Sequence, residues 1–585
     1  MKPRTHLMIA LAVMLVAVGY YLLREQAAAG GFGFPLERAW LHAQLARNLV
    51  LGNGFGITPG TTVSASTGPL WTLLAATGYL ISGDPVFASK VAGVLLIGVS
   101  VFFVYNLVRA ISNDRREALF AAVVTASLPK LTWAGMAGVE SSLAVALVLG
   151  GVVAHVLYNR PRDRRQYLST VLFALAAMAR PECAIFFVVA MIDRVLADTL
   201  IRWRELAGWE WLVPVLVHVA LFVGVLAPLL YFNERNGLGL FPNTLYAHVF
   251  RSRSGLLAAV ALRDWGEFLR SLTVRPFDYA VSLLSVSLRD NPPLFILGSF
   301  GFLRLIFSDP YGPGARYRSF IVPLSVVVFP LAMGAFAPFA RPEAEGGTYV
   351  ASVAPFVLVL GTVGLYGAAK YAAGIFGEAR RMGRPAEMVI ERGLVWLFML
   401  LALAAQARSL WYSGRIYGRE VAVVERTEVA LGKWIDMNLP QDALLAVDGG
   451  GAIAYFSNRP VLDTSGAASP EMLRAIRRGE PFEATVFRVL RAVEPDYAVF
   501  RPDRYPDVVA KSPLFDEIMR AGAGTGLASG FRELAIYRLE WELYDEPESG
   551  ARGSEGHRDG GPSGGHVRSL EPPAPADSSS VREGM

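Results

Sequence analysis

The sequence predicts a multi-pass α-helical membrane protein of about eleven transmembrane helices, followed by a small C-terminal α/β domain. Three observations predict it. Hydrophobic residues make up 53% of the 585 and charged residues only 18%, at a mean hydropathy of +0.39, which is too little charge to wet the surface of a soluble chain. The apolar residues are also blocked into runs long enough to cross a bilayer. After Trp411 the composition turns ordinary and globular.

The elements follow in order. Met1-Lys2-Pro3-Arg4 precedes an apolar stretch from His6 to Leu23. Its length favours a retained helix over a signal core, with Ala27–Ala29 the cleavage site of the competing reading. Further spans are predicted near 86–109, 118–134, 139–158, 166–180, 182–199, 211–232, 292–307, 319–338, 349–374 and 392–411. Pro69–Gly83 is apolar but too short to cross, so it is expected to lie along the outer interface. The membrane region thus covers 1–411, with long loops at 24–85 and 233–291. In the soluble region, 412–545, residues 443–463 read as strand, Gly-rich turn, helix and strand, with further strands at 495–503 and 531–542. The Gly-, Ser- and Pro-rich tail 546–585 is expected to be disordered.

Basic residues set the orientation. Counting Lys and Arg in alternate short loops, the set starting with Lys2 and Arg4 and continuing through 109–117, 159–167, 194–210, 304–318 and 375–392 holds nineteen. The intervening connections at 132–140, 180–181 and 335–348 hold Arg180 and Arg341 alone. Positive loops stay cytoplasmic, so the N-terminus is predicted inside and both long loops and the soluble region outside. The net charge of +5 is dispersed among these loops and does not suggest nucleic acid. With Cys183 the one cysteine, no internal disulfide can form.

By this count the polar motifs that interrupt the apolar pattern all face outside: PLERAWLHAQLARNL (35–49), GVESS (138–142), ARPE (179–182), FPNTLYAH (241–248) and ARPEAEGGTY (340–349). Ionisable groups at a bilayer edge are costly unless paired or hydrated, so their gathering predicts one shared aqueous cavity. From 36 to 50, Leu36, Ala39, Trp40, Ala43, Ala46 and Val50 keep helical spacing while Glu37, Gln44 and Asn48 share another stripe. The residues alone give Glu37 a simple ion pair with Arg38 or Arg47. Arg180 and Glu182 read equally well as a helix-end pair fixing a turn. Asn243, Thr244 and Tyr246 read as cavity lining or as a helix cap after Pro242. Gly449-Gly450-Gly451 lacks phosphate-binding spacing and reads as a tight turn. His155 and His218 fall within spans and read as buried hydrogen-bonding groups. There is no HExxH, GxSxG, Walker A, clustered His/Cys or Asp-x-Asp. No cofactor is indicated, although isolated carboxylates leave a divalent metal open.

The order of these motifs resembles the polytopic GT-C glycosyltransferases, most closely the family of the mycobacterial terminal arabinofuranosyltransferase. ERAWL (37–41), ARNLVLGNGFGITPG (46–60) and TGPLWT (67–72) match that family's pattern after its first span. Gly138–Ser141 matches its Gly-x-Glu-Thr/Ser, Arg180–Glu182 its Arg-Pro-Glu, and Pro242–His248 its PNTFYAK element. Asp448–Gly466 matches its soluble-domain motif, so the resemblance covers about residues 1–510. Three positions depart. The family's Asp-Asp is Glu37-Arg38, its GGRY is Gly346-Gly347-Thr348-Tyr349, and its lysine is His248.

The resemblance implies an inverting transferase in a bacterial inner membrane. Its donor is a polyprenyl-phosphate sugar held among membrane lipid and helices, and its acceptor an extracytoplasmic cell-envelope glycan, lipid or protein. It implies Glu37 as general base, Glu140 as a second acid, and Arg180 or Arg341 as phosphate partner. Arg47 and Asn48 would position substrate, and Arg38, Glu182, Asn243, Thr244, Tyr246 and His248 would complete its contacts. The division is sensible, because a hydroxyl must lose its proton to attack and a departing phosphate needs cations or donors. Two competing expectations remain. A homologue that has lost catalysis and only binds lipid-linked glycan predicts that Glu37→Gln changes nothing, while restoring Asp at 37 and 38 creates activity. A transporter predicts internal repeats and broken helices carrying buried charge, which the hydropathy does not show.

Overall fold

The computed structural model describes residues 3–159, 163–202, 212–307, 320–478, 481–511, 514–526 and 530–545. The expected disordered tail, 546–585, and parts of the basic loops at 159–167, 194–210 and 304–318 lie outside the described residues.

The helical part runs α1 (Pro3–Ala29), α2 (Glu37–Val50), α3 (Pro69–Ser82), α4 (Pro85–Ser112), α5 (Arg115–Ala126), α6 (Pro129–Met136), α7 (Ser141–Tyr158), α8 (Tyr167–Ala179), α9 (Ala184–Arg202) and α10 (Leu212–Asn236). It continues with α11 (Asn243–Ser252), α12 (Leu256–Leu262), α13 (Trp265–Asp290), α14 (Pro292–Phe307), α15 (Ile321–Phe336), α16 (Ala354–Ala379) and α17 (Arg384–Val424). Among the described residues six helices are long and apolar enough to cross a membrane, or seven if the bent pair α5–α6 counts as one span. That is fewer than the eleven expected, because α8, α14 and α15 have only 13, 16 and 16 residues.

Two expectations are refined. The span at 118–134 is not continuous but bends by 50° between α5 and α6. Pro129 has no N–H to continue the ladder, and Gln406 Nε2 from α17 satisfies the released carbonyls of Ser127 and Val124 at 3.0 and 3.4 Å. Asn291 holds Gln406 in turn through a 2.8 Å bond to Oε1. The long loop 233–291 is largely helical, formed by α11, α12 and α13. α13 buries Glu267 and Ser271 and exposes Leu269, Leu272, Phe277 and Val281, but Arg270, Arg275 and Asp278 interrupt its apolar run, so hydropathy alone did not mark it.

Close helix approach relies on small residues. Gly298, Gly301, Gly361 and Gly364 bring α14 and α16 together so tightly that a Cβ on Gly361 would lie 2.6 Å from the Leu294 carbonyl oxygen.

After α17 and α18 (Ala430–Asn438) the chain enters a five-stranded sheet ordered β2-β1-β3-β5-β4. In chain order these are β1 (Leu445–Val447), α19 (Gly451–Ser457), β2 (Val461–Asp463), α20 (Pro470–Arg477), α21 (Phe482–Val493), β3 (Tyr497–Phe500), β4 (Phe515–Gly526) and β5 (Gly530–Leu539). β1 pairs parallel with both β2 and β3, and β5 pairs antiparallel with β3 and β4. β4 is the strand that sequence reading did not anticipate. It lies at the edge and carries glycines and charges in place of an alternating apolar pattern.

Strand alternation assigns the two faces of the sheet. Leu445, Val447, Val461, Val499 and Ile536 pack with Leu431 and Ile435 of α18 and with Leu45, Ile57 and Val63 of the first loop. Ala446, Leu462, Ala498 and Phe500 pack instead on Met472, Ile476, Val486 and Leu490 of α20 and α21. One face of the sheet is therefore covered by the segment that follows α1, which seats the C-terminal region on the helical part.

Candidate active site

A cavity of about 650 Å³ lies where the helical part meets the sheet. The start of α2, the α8–α9 turn, α11, the end of α15, the 337–349 connection and the loops after β1, β2 and β3 all line it.

Its polar floor is organised by Glu140, fully buried just before α7. Glu140 meets Arg38 at 3.5 Å, Arg180 at 3.3 Å and His42 Nε2 at 3.0 Å. His42 is fixed from behind by Thr72 at 2.8 Å. Burial opposes ionisation of Glu140, but the Arg38 guanidinium, the His42 hydrogen bond and Arg180 outweigh it and hold the carboxyl far below the usual carboxylate range. Glycine permits the approach, since a Cβ on Gly68 of the TGPLWT motif would stand 2.8 Å from the Glu140 Cβ. The two guanidinium groups are further occupied. Arg38 pairs with Glu345 at 2.8 Å and donates to Thr348 at 3.0 Å. Arg180 pairs with Glu182 at 2.5 Å and donates to Ser141 Oγ at 2.6 Å. Both face the Tyr349 ring.

Glu37, one residue before Arg38, points toward the sheet. Its Oε1 accepts the Gly451 N–H at 2.6 Å where α19 begins. Gly449 has φ +86°, and a Cβ there would lie 2.9 Å from Glu37 Oε2. The Gly-rich turn read from sequence thus leaves room for a carboxylate.

α11 adds Thr244, His248 and Arg251, spaced i, i+4 and i+7 along one side of the helix and all lining the cavity. The His248 ring stacks on Phe339 at 5.5 Å. Burial, with Arg251 nearby, pulls its pKa down to about 4, so the ring is neutral near pH 7. No carboxylate pairs with Arg251 among the described residues, and burial followed by the neighbouring Arg504 lowers its pKa. From the sheet come Asp448, ion-paired with Arg504, and Gly449, Ser465 and Ala467. The remaining wall is apolar, with Ile185, Leu245, Leu257, Met333, Phe336 and Phe339 prominent.

Of the residues singled out from sequence, the cavity brings together Glu37, Arg38, Glu140, Arg180, Glu182, Thr244 and His248. Five lie elsewhere. Arg47 donates to the Tyr455 carbonyl at 2.9 Å and Asn458 at 3.2 Å, and so joins α2 to the sheet region. Asn48 closes the first-loop turn by donating to the Gly56 carbonyl at 2.7 Å. Asn243 accepts the Leu238 N–H at 3.2 Å, and Tyr246 stacks on Phe250. Arg341 is exposed. His42, Arg251, Glu345 and Arg504 went unnoticed in the sequence. Arg251 alone left a signal, its helical register with Thr244 and His248. Among the described residues no group of three or more His, Cys, Asp or Glu side chains converges as a metal site would.

Apolar helices carrying this arrangement define a multi-helix membrane protein, and its fold is shared by several solved structures. ArnT from Cupriavidus metallidurans bound to undecaprenyl phosphate superposes at a TM-score of 0.51 and 13% identity, covering 90% of this chain and 97% of that one. The Archaeoglobus fulgidus oligosaccharyltransferase tethered with an acceptor peptide gives 0.53 and 12%, covering 91% and 74%. Arabinofuranosyltransferase AftD from mycobacteria matches at 0.39 and 16%, covering 90% and 40%, a score too low to argue from. Residues 416–551 match the domain of unknown function DUF8728. No curated protein matches the chain in sequence.

Proposed function

We propose that this protein transfers a sugar from a polyprenyl-phosphate donor to a hydroxyl of a glycan, lipid or protein acceptor, with inversion, at the outer face of a bacterial cytoplasmic membrane. One observation carries the reading: a single cavity joins an apolar wall, a carboxylate-rich floor and one guanidinium, Arg251, that makes no direct ion pair among the described residues although Asp448 and Asp463 lie in its field. An apolar wall suits a prenyl chain and Arg251 suits its phosphate, a geometry that guanidinium groups favour. The structures sharing this fold include ArnT with undecaprenyl phosphate and the A. fulgidus enzyme with dolichol-phosphate and an inhibitory peptide, which supports a lipid-phosphate donor.

In this mechanism Glu37 takes the acceptor hydroxyl proton, the oxygen attacks the anomeric carbon, and the bond from that carbon to the phosphate oxygen breaks. The phosphate departs with the electron pair and Arg251 eases its charge. The Arg38 that follows the base is held by Glu140 and Glu345. Arg180 sits among acids and is assigned to organising the floor, so Arg251 replaces Arg180 and Arg341 as the phosphate partner.

Proteoliposomes supplied with a panel of polyprenyl-phosphate sugars test the proposal. Glu37→Gln should lower transfer by about 10²–10⁴-fold, the usual weight of a general base, and Arg251→Ala should weaken undecaprenyl-phosphate binding. No turnover of any donor by wild type would sink the transferase reading. The amide bond from Gly451 to Glu37 also suits a second reading, in which Glu37 only caps α19 and the protein binds lipid-linked glycan without turnover. Equal behaviour of wild type and Glu37→Gln, with activity appearing on Asp substitution at 37 and 38, would favour that second reading.

A further inference from the structure

The C-terminal sheet contains a ligand crevice of its own. From β1 the chain passes through α19 to β2 on one side, and from β2 through α20 and α21 to β3 on the other side of β1. The connections that leave the adjacent parallel strands β1 and β2 cross opposite faces of the sheet, which opens a gap beyond their carboxyl ends, where ligands bind in open α/β sheets. Here that gap opens into the cavity already described. Asp448 and Gly449 after β1, Ser465 and Ala467 after β2, and Arg504 after β3 all line the same cavity as Glu37 and Glu140.

Asp448 is the polar centre of the crevice. Its side chain is only 2% exposed, and its Oδ2 is ion-paired with Arg504. Its Oδ1 is buried without a hydrogen-bond partner. A buried carboxylate oxygen left unsatisfied is costly and calls for an explanation. The Tyr505 hydroxyl faces the Asp448 carboxylate but leaves Oδ1 without a bonded partner. Asp463 Oδ1 takes the Gly449 N–H at 3.2 Å and the Ser465 N–H at 2.8 Å, while its Oδ2 takes the Ala468 N–H at 2.7 Å. Asp463 therefore shapes the rim and leaves Asp448 as its acceptor. Gly449 also separates Asp448 from Glu37, whose Oε2 would lie 2.9 Å from a Cβ at that glycine.

We propose that this crevice is the acceptor subsite, and that Asp448 Oδ1 receives a hydrogen bond from a hydroxyl of a neutral saccharide. The ligand class follows from the chemistry. An unsatisfied carboxylate oxygen wants a donor, and its partner oxygen is already occupied by a cation, so a neutral hydroxyl-bearing ligand suits it better than an anion. A saccharide held there presents its next hydroxyl to Glu37 across one residue of backbone. The assignment rests on the transferase reading for its position in a reaction, but saccharide binding stands apart from donor chemistry.

The test uses full-length protein in nanodiscs with two separate probes. Neutral oligosaccharides (arabinan, galactan and mannan fragments) are followed by saturation-transfer NMR, and undecaprenyl phosphate by native mass spectrometry. Asp448→Asn should weaken saccharide binding by about tenfold or more, the scale of one lost charge-assisted hydrogen bond, without weakening undecaprenyl-phosphate binding, since it removes a negative charge beside Arg251. Ser465→Ala, which leaves the Arg504 pair in place, guards against misfolding and should weaken saccharide binding in the same direction. Arg251→Ala should show the opposite pattern. Saccharide binding that survives both Asp448→Asn and Ser465→Ala, or wild type that binds none of the fragments, overturns the subsite. Loss of undecaprenyl-phosphate binding by wild type, with saccharide binding intact, overturns the donor reading alone.

Discussion

At the residue scale the cavity is a study in which charges are already satisfied. Glu140 is flanked by two guanidinium groups and a histidine, and Glu345 and Glu182 each take one of those arginines. Arg251 and the free oxygen of Asp448 stand out against that background. His248 yields a pH prediction. Its folded pKa near 4 lies below its ordinary 6.5, so the neutral form is favoured by folding. The stability this contributes is complete above about 6.5 and is lost as pH falls toward about 4. The difference in melting temperature between wild type and His248→Gln should therefore stay constant above neutrality and shift against wild type between those values. Parallel melting curves down to pH 4 would contradict the buried placement of the ring. The motifs carrying Glu37, Glu140 and Arg180 were readable because each interrupts an apolar run. His42 was not, because a lone imidazole in an amphipathic helix is an ordinary surface residue until its neighbours are known, and Arg251 showed only its register with Thr244 and His248.

At the element scale, local signals located most of the pieces. The apolar stripe of α2, the short length of α3, and the strand-turn-helix-strand of β1, α19 and β2 were all legible from spacing and turn chemistry. Elements satisfied only by distant partners were not. The bend between α5 and α6 depends on Gln406, which is 279 residues away in sequence from Ser127. Gln406→Leu should leave the Ser127 carbonyl without this donor, while Val124 keeps the Ser127 hydroxyl, and cost about 1–3 kcal/mol, the penalty for a buried polar group without a partner. A lower detergent melting temperature for Gln406→Leu, but not for a substitution at exposed Met388 on the same helix, would be the expected result. Equal melting of wild type and Gln406→Leu would mean that water satisfies the bend. β4 escaped notice for a related reason, since its register is dictated by β5 and not by an apolar pattern of its own.

At the scale of the whole molecule, the cavity exists because the sheet is seated on the helical part. Trp40 of α2 is buried between Phe34, Tyr455 and Phe456, at ring distances of 5.0, 5.3 and 4.7 Å. Trp40→Ala should cost about 3–5 kcal/mol as a large core truncation. Hydrogen exchange should then rise across 448–457 while α4 and α7 keep their protection, and unchanged exchange there would show that the joint is held elsewhere. The sequence by itself determined that this is a helical membrane protein, where its apolar segments begin, and that its C-terminal region is a small α/β unit. Hydropathy, helical period and turn residues are properties of neighbours along the chain, so they can be read along it. Only the tertiary structure decided that acids from α2, the start of α7 and the loop after β1 share one cavity, and which arginine there makes no direct ion pair among the described residues. Ion pairing and burial depend on segments hundreds of residues apart meeting in space, and no local pattern records such meetings.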